Sequence, residues 1–152
     1  MEAREIGTVI VPMHEAMHAS FRWLSRGAKV TRGYAIKIAG REPFLVTYPM
    51  ERDEAIATGL EVALAQEFGY EAILQSSANP AEAYGKFFDA ILRSREASGS
   101  LAFFGNVLVQ LYIGLVESIE RLGWKVHRSN GEDLIQLARK RKDPREIEMI
   151  RS

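Results

Sequence analysis

Short apolar runs of strand length alternate along this chain with longer stretches whose apolar residues return at helical spacing. Few architectures accept that order. "GTVIV" at 7–11 reads as a buried strand. Pro12 then opens a helical stretch with apolar residues at Met13, Met17, Phe21 and Leu24. In "GYAIKIA" (33–39), Tyr34, Ile36 and Ile38 share one strand face. "GREP" turns the chain and "FLVTY" (44–48) returns, which predicts a hairpin. From Glu51 to Phe68 the spacing becomes helical, with Ile56, Leu60, Ala63, Leu64 and Phe68 on one side and Gly69 as the stop signal. "YEAILQ" (70–75) reads as a strand. Asn79-Pro80 is a strong helix start, a capping residue followed by a ring with its φ already helical, and that helix runs to about Arg95. "LAFF" (101–104) is a short buried strand. A helix near 107–122 carries Leu108, Leu111, Leu115, Ile119 and Leu122, and Gly123 ends it. "WKVHR" (124–128) is a last strand, followed by a helix at 132–141. Strands and helices in this order predict an α/β domain: a mixed sheet of about six strands flanked by helices.

The 152 residues suit one domain, and 47 % apolar against 26 % charged residues is enough to fill a core. Cysteine is absent, which removes disulfides, thiolate zinc sites and thiol nucleophiles, and suits a cytoplasmic location. Acidic and basic residues balance at 20 each, so no overall field draws in nucleic acid or an anionic membrane. The start, "MEAREIGTVIV", lacks the basic region and cleavage site of a signal peptide. Residues 97–116 carry no charge. They include Ser98, Ser100, Asn106, Gln110 and three glycines, which favours a buried strand and helix over a membrane span. No glycine-rich phosphate loop is present; the nearest approach, Gly85-Lys86, has Pro80 where the first glycine belongs. No serine sits in a nucleophile elbow. Trp23 and Trp124 read as packing residues, and Arg139-Lys140-Arg141-Lys142 as a solvated helix end.

His14-Glu15-Ala16-Met17-His18 matches H-E-x-x-H, in which two histidines on one helix face share zinc and the glutamate acts as base. A catalytic zinc ordinarily has three protein ligands and a water. The longer version of the motif needs Gly at 21 and His at 24, where this chain has Phe21 and Leu24. The shorter version needs an acid from a second helix, but 33–48 read as strands. Glu42 falls in their turn, and Glu51 and Glu54 read as first-turn acids of the next helix. The remaining histidine, His127, is on the last strand. The expectation is therefore no metal site and no catalytic residue, with His14 and His18 as the minor metal alternative.

Near the end, Asp143, Pro144 and Glu146 form a helix start of the capping-box kind, and Ile147 and Ile150 begin a stripe. The sequence stops soon after, at Ser152, as if a longer helix had been cut. The stretch "DLIQLARKRKDPREIEMIRS" resembles the connector of the creatinase, prolidase and aminopeptidase P family. There an Arg-x-x-Lys-x-x-x-Glu-Ile pattern closes the N-terminal domain and opens the catalytic "pita-bread" domain. Here the pattern falls on Arg139, Lys142, Glu146 and Ile147. Trp23-Leu24-Ser25-Arg26-Gly27 resembles the family's Tyr-Leu-Thr-Gly with one residue inserted, and "FLVTYPMERDEA" resembles its strand leading into a helix. The family usually has a helix before its first strand, whereas this chain enters "GTVIV" almost at once.

The resemblance implies a creatinase-type N-terminal domain (ribonuclease H-like) over 1–142, with 143–152 opening the connector helix. It implies that the chemistry belongs to a C-terminal catalytic domain outside this sequence, where two Asp, one His and two Glu hold a pair of divalent metal ions. This chain would then be a non-catalytic accessory domain, shaping the substrate entrance and contributing to a homodimer. In the family, the loop after Tyr-Leu-Thr-Gly approaches the neighbouring active site. The corresponding loop, "SRGAKVTRG", offers Arg26, Lys29 and Arg32 as substrate-rim residues. Two other readings stand beside this one: a stand-alone binding or scaffold domain of the same fold, and a small zinc protease through His14, Glu15 and His18.

Overall fold

The computed structural model describes residues 6–14, 19–105 and 107–128. Five strands form one mixed sheet: β1 (Ile6–His14), β2 (Arg32–Ile38), β3 (Phe44–Thr47), β4 (Glu61–Leu64) and β5 (Ser100–Phe103), in the order β4-β3-β2-β1-β5. The expected hairpin is present, with β2 antiparallel to β3 and Tyr34 opposite Val46. β2 also pairs antiparallel with β1, from Thr8 opposite Ile38 to His14 opposite Arg32. The outer pairs, β3–β4 and β1–β5, are parallel. Among the described residues no helix is long and apolar enough to cross a membrane.

Both faces of this sheet are covered, which is why its strands read as nearly unbroken apolar runs. One face presents Ile10, Tyr34, Ile36, Ile38 and Val46 to α4 (Pro80–Ser94) and α5 (Val109–Arg121), which contribute Phe87, Phe88, Ile91, Leu92, Leu115 and Ile119. The other presents Val9, Val11, Met13, Ala35 and Leu45 to Phe21 and Leu24 of α1 (Ala19–Leu24) and to Ala55 of α2 (Arg52–Ile56). α4 starts as its sequence requires. The Asn79 side chain accepts a hydrogen bond from the Glu82 N–H at 2.9 Å, and Glu82 Oε2 accepts from the Ala78 N–H at 2.7 Å, with Pro80 between. Trp23 and Trp124 are half-buried packing residues, and Trp124 Nε1 donates to Asp89 at 2.8 Å.

Four expectations need correction. The helix predicted over 51–68 is instead a turn at Pro49–Glu51, the short helix α2, strand β4 and a second turn at Ala65–Phe68. Gly59, at φ +80°, breaks it. The apolar stripe is divided: Leu60 enters one core, Ala63 and Phe68 the other, and Ile56 is exposed. The strand predicted at 70–75 is helix α3 (Tyr70–Ser76), which turns Tyr70 and Ile73 toward the core and leaves Leu74 exposed. Met13 and His14 are not helical; they extend β1. Pro12 is tolerated there because β5 ends opposite Ile10, so no rung is missing on that side. The sheet has five strands rather than six, since 124–128 contributes one bridge, Leu101 to Val126. The predicted helix 132–141, the basic run 139–142 and the connector 143–152 lie outside the described residues.

Candidate functional site

β2 organises two polar regions, one at each of its ends. At the β2–β3 turn is a cleft of about 440 Å³, bounded by Arg26, Arg41, Glu42, Glu61 and Arg95 over an apolar floor that includes Phe44 and Leu60. Arg26 arrives there through the end of α1. The Ser25 N–H donates to the Phe21 carbonyl and the Gly27 N–H to the Arg22 carbonyl, each at 2.8 Å, while the Ser25 hydroxyl accepts from the Ala28 N–H. This termination places Arg26 itself at φ +58°, a left-handed conformation uncommon outside glycine. Its guanidinium then pairs with Glu42 at 2.7 Å. Arg95 pairs with Glu61 at 2.5 Å and lies 4.5 Å above the Phe44 ring, and Arg41 donates to the Arg95 carbonyl. Three guanidinium groups against two carboxylates leave the cleft net positive. Guanidinium forks bind carboxylates and phosphates in two-point fashion, so the cleft can receive a small anionic ligand with an apolar body.

Arg32 is at the opposite end of β2. Six residues of strand rise separate it from Ile38, roughly 20 Å. The predicted rim residues therefore do not form one patch: Arg26 is in the cleft, Lys29 is exposed on the loop between, and Arg32 opens the strand. The Arg32 guanidinium is 4.7 Å above the Tyr48 ring, and Tyr48 meets Tyr70 edge-on at 5.6 Å between centroids. The main chain here is held by Glu51. Its carboxylate accepts from the Thr31 N–H at 2.7 Å, from the Thr31 hydroxyl, and from the Arg32 N–H at 3.1 Å.

Burial alone pushes the Glu51 carboxyl up, but the hydrogen bonds from Thr31 and Arg32 outweigh it and hold the group below the usual carboxylate range. A depressed folded-state value contributes stability above the unfolded pKa. That contribution is lost as pH falls through the folded value. Glu51→Gln is expected to cost about 1 kcal/mol at pH 7, the lower end for charge-assisted bonds because the site is partly solvated. The difference from the parent should vanish in acid, below the folded-state value. Urea denaturation at pH 7 and at a series of falling pH values measures it; a gap that does not narrow as the pH falls would refute the assignment.

His14 occupies the last position of β1, opposite Arg32, so H-E-x-x-H does not begin on a helix. Glu15 and His18 lie outside the described residues. Among the described residues no three His, Asp or Glu side chains are grouped to hold a metal ion. The His127 N–H donates to the Leu101 carbonyl at 2.7 Å, and its Nε2 is buried without a hydrogen-bond partner among the described residues. The sequence reading missed Arg41, Glu61 and Arg95, which the β2–β3 turn and the β3–β4 pairing bring together from distant positions. It also missed Tyr48, Tyr70 and Tyr84, whose one available signal is aromatic residues flanking predicted elements.

The geometry defines a mixed α/β domain with a five-stranded sheet covered by helices on both faces. No protein-family model matches the chain, and no curated protein matches it. Among solved structures it is similar to the N-terminal domain of an Xaa-Pro dipeptidase from Lactobacillus brevis. Identity is 11 %, coverage is 88 % of each chain and the TM-score is 0.49.

Proposed function

We propose that this chain is the non-catalytic N-terminal domain of a metal-dependent Xaa-Pro peptidase of the prolidase or aminopeptidase P kind. The observation that carries the reading is the connector pattern at Arg139, Lys142, Glu146 and Ile147, placed at the end of a mixed α/β domain. In this reading the two divalent metal ions and the bond cleavage belong to a following catalytic domain. The domain described here shapes the substrate entrance and contributes to a cytoplasmic homodimer. Arg26, Lys29 or Arg32 supplies positive charge at the rim, where it attracts the peptide carboxylate. Because Arg26 and Arg32 are at opposite ends of β2, one of them faces the entrance and the other does not.

The complete reading frame tests this. Its product is expected to hydrolyse Xaa-Pro dipeptides with added Mn²⁺, while residues 1–152 alone do not. In that full-length protein, Arg26→Ala and Arg32→Ala are then compared singly. One should raise KM roughly five-fold, the equivalent of about 1 kcal/mol of lost ground-state attraction, with kcat unchanged. A reading frame that ends after Ser152 sinks the proposal, and unchanged KM in both variants removes the rim role.

A further inference from the structure

We propose that Arg32, Tyr48, Tyr70 and Tyr84 form an oxyanion subsite at the Arg32 end of β2, separate from the Arg26 cleft, taking a small carboxylate or phosphate. The proposal concerns the chain by itself and stands whether or not a catalytic domain follows it. Four observations meet at this place.

The first is an uncompensated cation. Among the described residues the Arg32 guanidinium has an aromatic ring beneath it and no carboxylate partner. Glu51, whose carboxylate reaches the Arg32 main chain, is already engaged by the Thr31 N–H, the Thr31 hydroxyl and the Arg32 N–H. The second is an unsatisfied donor. The Tyr48 hydroxyl is buried and makes no hydrogen bond of good geometry among the described residues, although the phenols of Tyr34 and Tyr70 lie beside it. Native proteins seldom leave a buried hydroxyl unpaired, because the group has given up water for nothing.

The third is space. Tyr70, edge-on to Tyr48, lines a cavity of about 300 Å³ together with Tyr84, Leu74, Asn79, Pro80 and Ala83. No acidic side chain lines this cavity; Arg32 and Tyr48 are not among its lining residues and adjoin it through Tyr70. The fourth is position. Tyr48 and Ala65 follow the C-terminal ends of β3 and β4, and His14 ends β1. Ligands of open α/β sheets bind outside the carboxyl ends of strands. A guanidinium together with phenol O–H donors, without a competing carboxylate, is a donor set for oxygen anions.

The test is a titration of the ¹⁵N-labelled 152-residue chain with propionate and, separately, inorganic phosphate, at constant ionic strength with chloride as the control. The expected result is a saturable shift of amide signals near Arg32, Tyr48 and Tyr70. Saturation by propionate identifies a carboxylate site, and saturation by phosphate a phosphate site. Affinity should fall at least ten-fold in Arg32→Gln and in Tyr48→Phe. It should persist in Lys125→Gln, an exposed cation beyond β5. Tyr48→Phe removes one oxygen and keeps the ring, so folding is preserved, and the amide spectrum of each variant verifies that. Shifts that are linear with concentration, shared by chloride, or unchanged in Tyr48→Phe overturn the subsite. None of these outcomes depends on peptidase activity, and none tests it.

Discussion

Phe87→Ala is expected to remove about 3–5 kcal/mol of folding stability, the range for deleting a large buried aromatic side chain and leaving a cavity. Phe87 is fully buried on α4. It meets Tyr34, Phe68 and Tyr70 edge-on, at 5.7, 6.3 and 5.1 Å between ring centroids. It therefore joins the central strand β2, the turn after β4, and α3 to one helix. The loss is a large part of the ~5–15 kcal/mol that holds a domain of ordinary size together. Thermal denaturation should show Tm lowered by roughly 10 °C, from the ~2–4 °C per kcal/mol expected at this chain length. A shift under 3 °C would show that the aromatic cluster does not hold these elements together.

Gly7→Ala is expected to cost about 3 kcal/mol, for a different reason. Gly7 is in β1 where the pairing with β5 changes register, between Ile6 and Thr8. An added Cβ would lie 1.9 Å from the Ser98 carbonyl oxygen and 3.1 Å from the Gly99 Cα. Those are main-chain atoms, which cannot rotate away as a side chain could. The strands must separate, and overpacking of this kind costs ~1–3 kcal/mol or more. Hydrogen exchange adds a specific readout: amides of Leu101 to Phe103 should lose protection before those of the β2–β3 pair. Equal protection in both pairs, or an unchanged Tm, would contradict the argument.

The parts of the fold legible in the sequence are those whose signals are local. The β2–β3 hairpin follows from alternation around a short turn, and α4 from Asn79-Pro80. α5 follows from its repeat of leucines up to Gly123. The misread parts belong to segments whose apolar residues serve two cores. Leu60 and Ala63 are three apart in sequence and face opposite sides of the sheet, so their spacing imitated a helix stripe. Tyr70 and Ile73 gave too short a pattern to separate one helical turn from a strand. Arg26 was legible as a loop cation, but the residues it meets were not. Arg41, Glu61 and Arg95 reach the cleft only through strand pairing, which local patterns do not encode. The three tyrosines around Arg32 come from a loop and two helices for the same reason.

The parallel pairing of β1 with β5 also sets an order of events during synthesis. β1 to β4 are complete once Leu64 has been made, but the neighbour on the other side of β1 ends at Phe103, 39 residues later. At ~5–20 residues per second that interval lasts about 2–8 s on the ribosome. Throughout it, the nascent chain holds an open edge on β1, and the apolar sheet face lacks α4 until Ser94 has been made and α5 until Arg121 has been made. The open edge of β1 is thus closed by β5 before the sheet face is completed by α5, so edge and face are protected one after the other as the chain emerges.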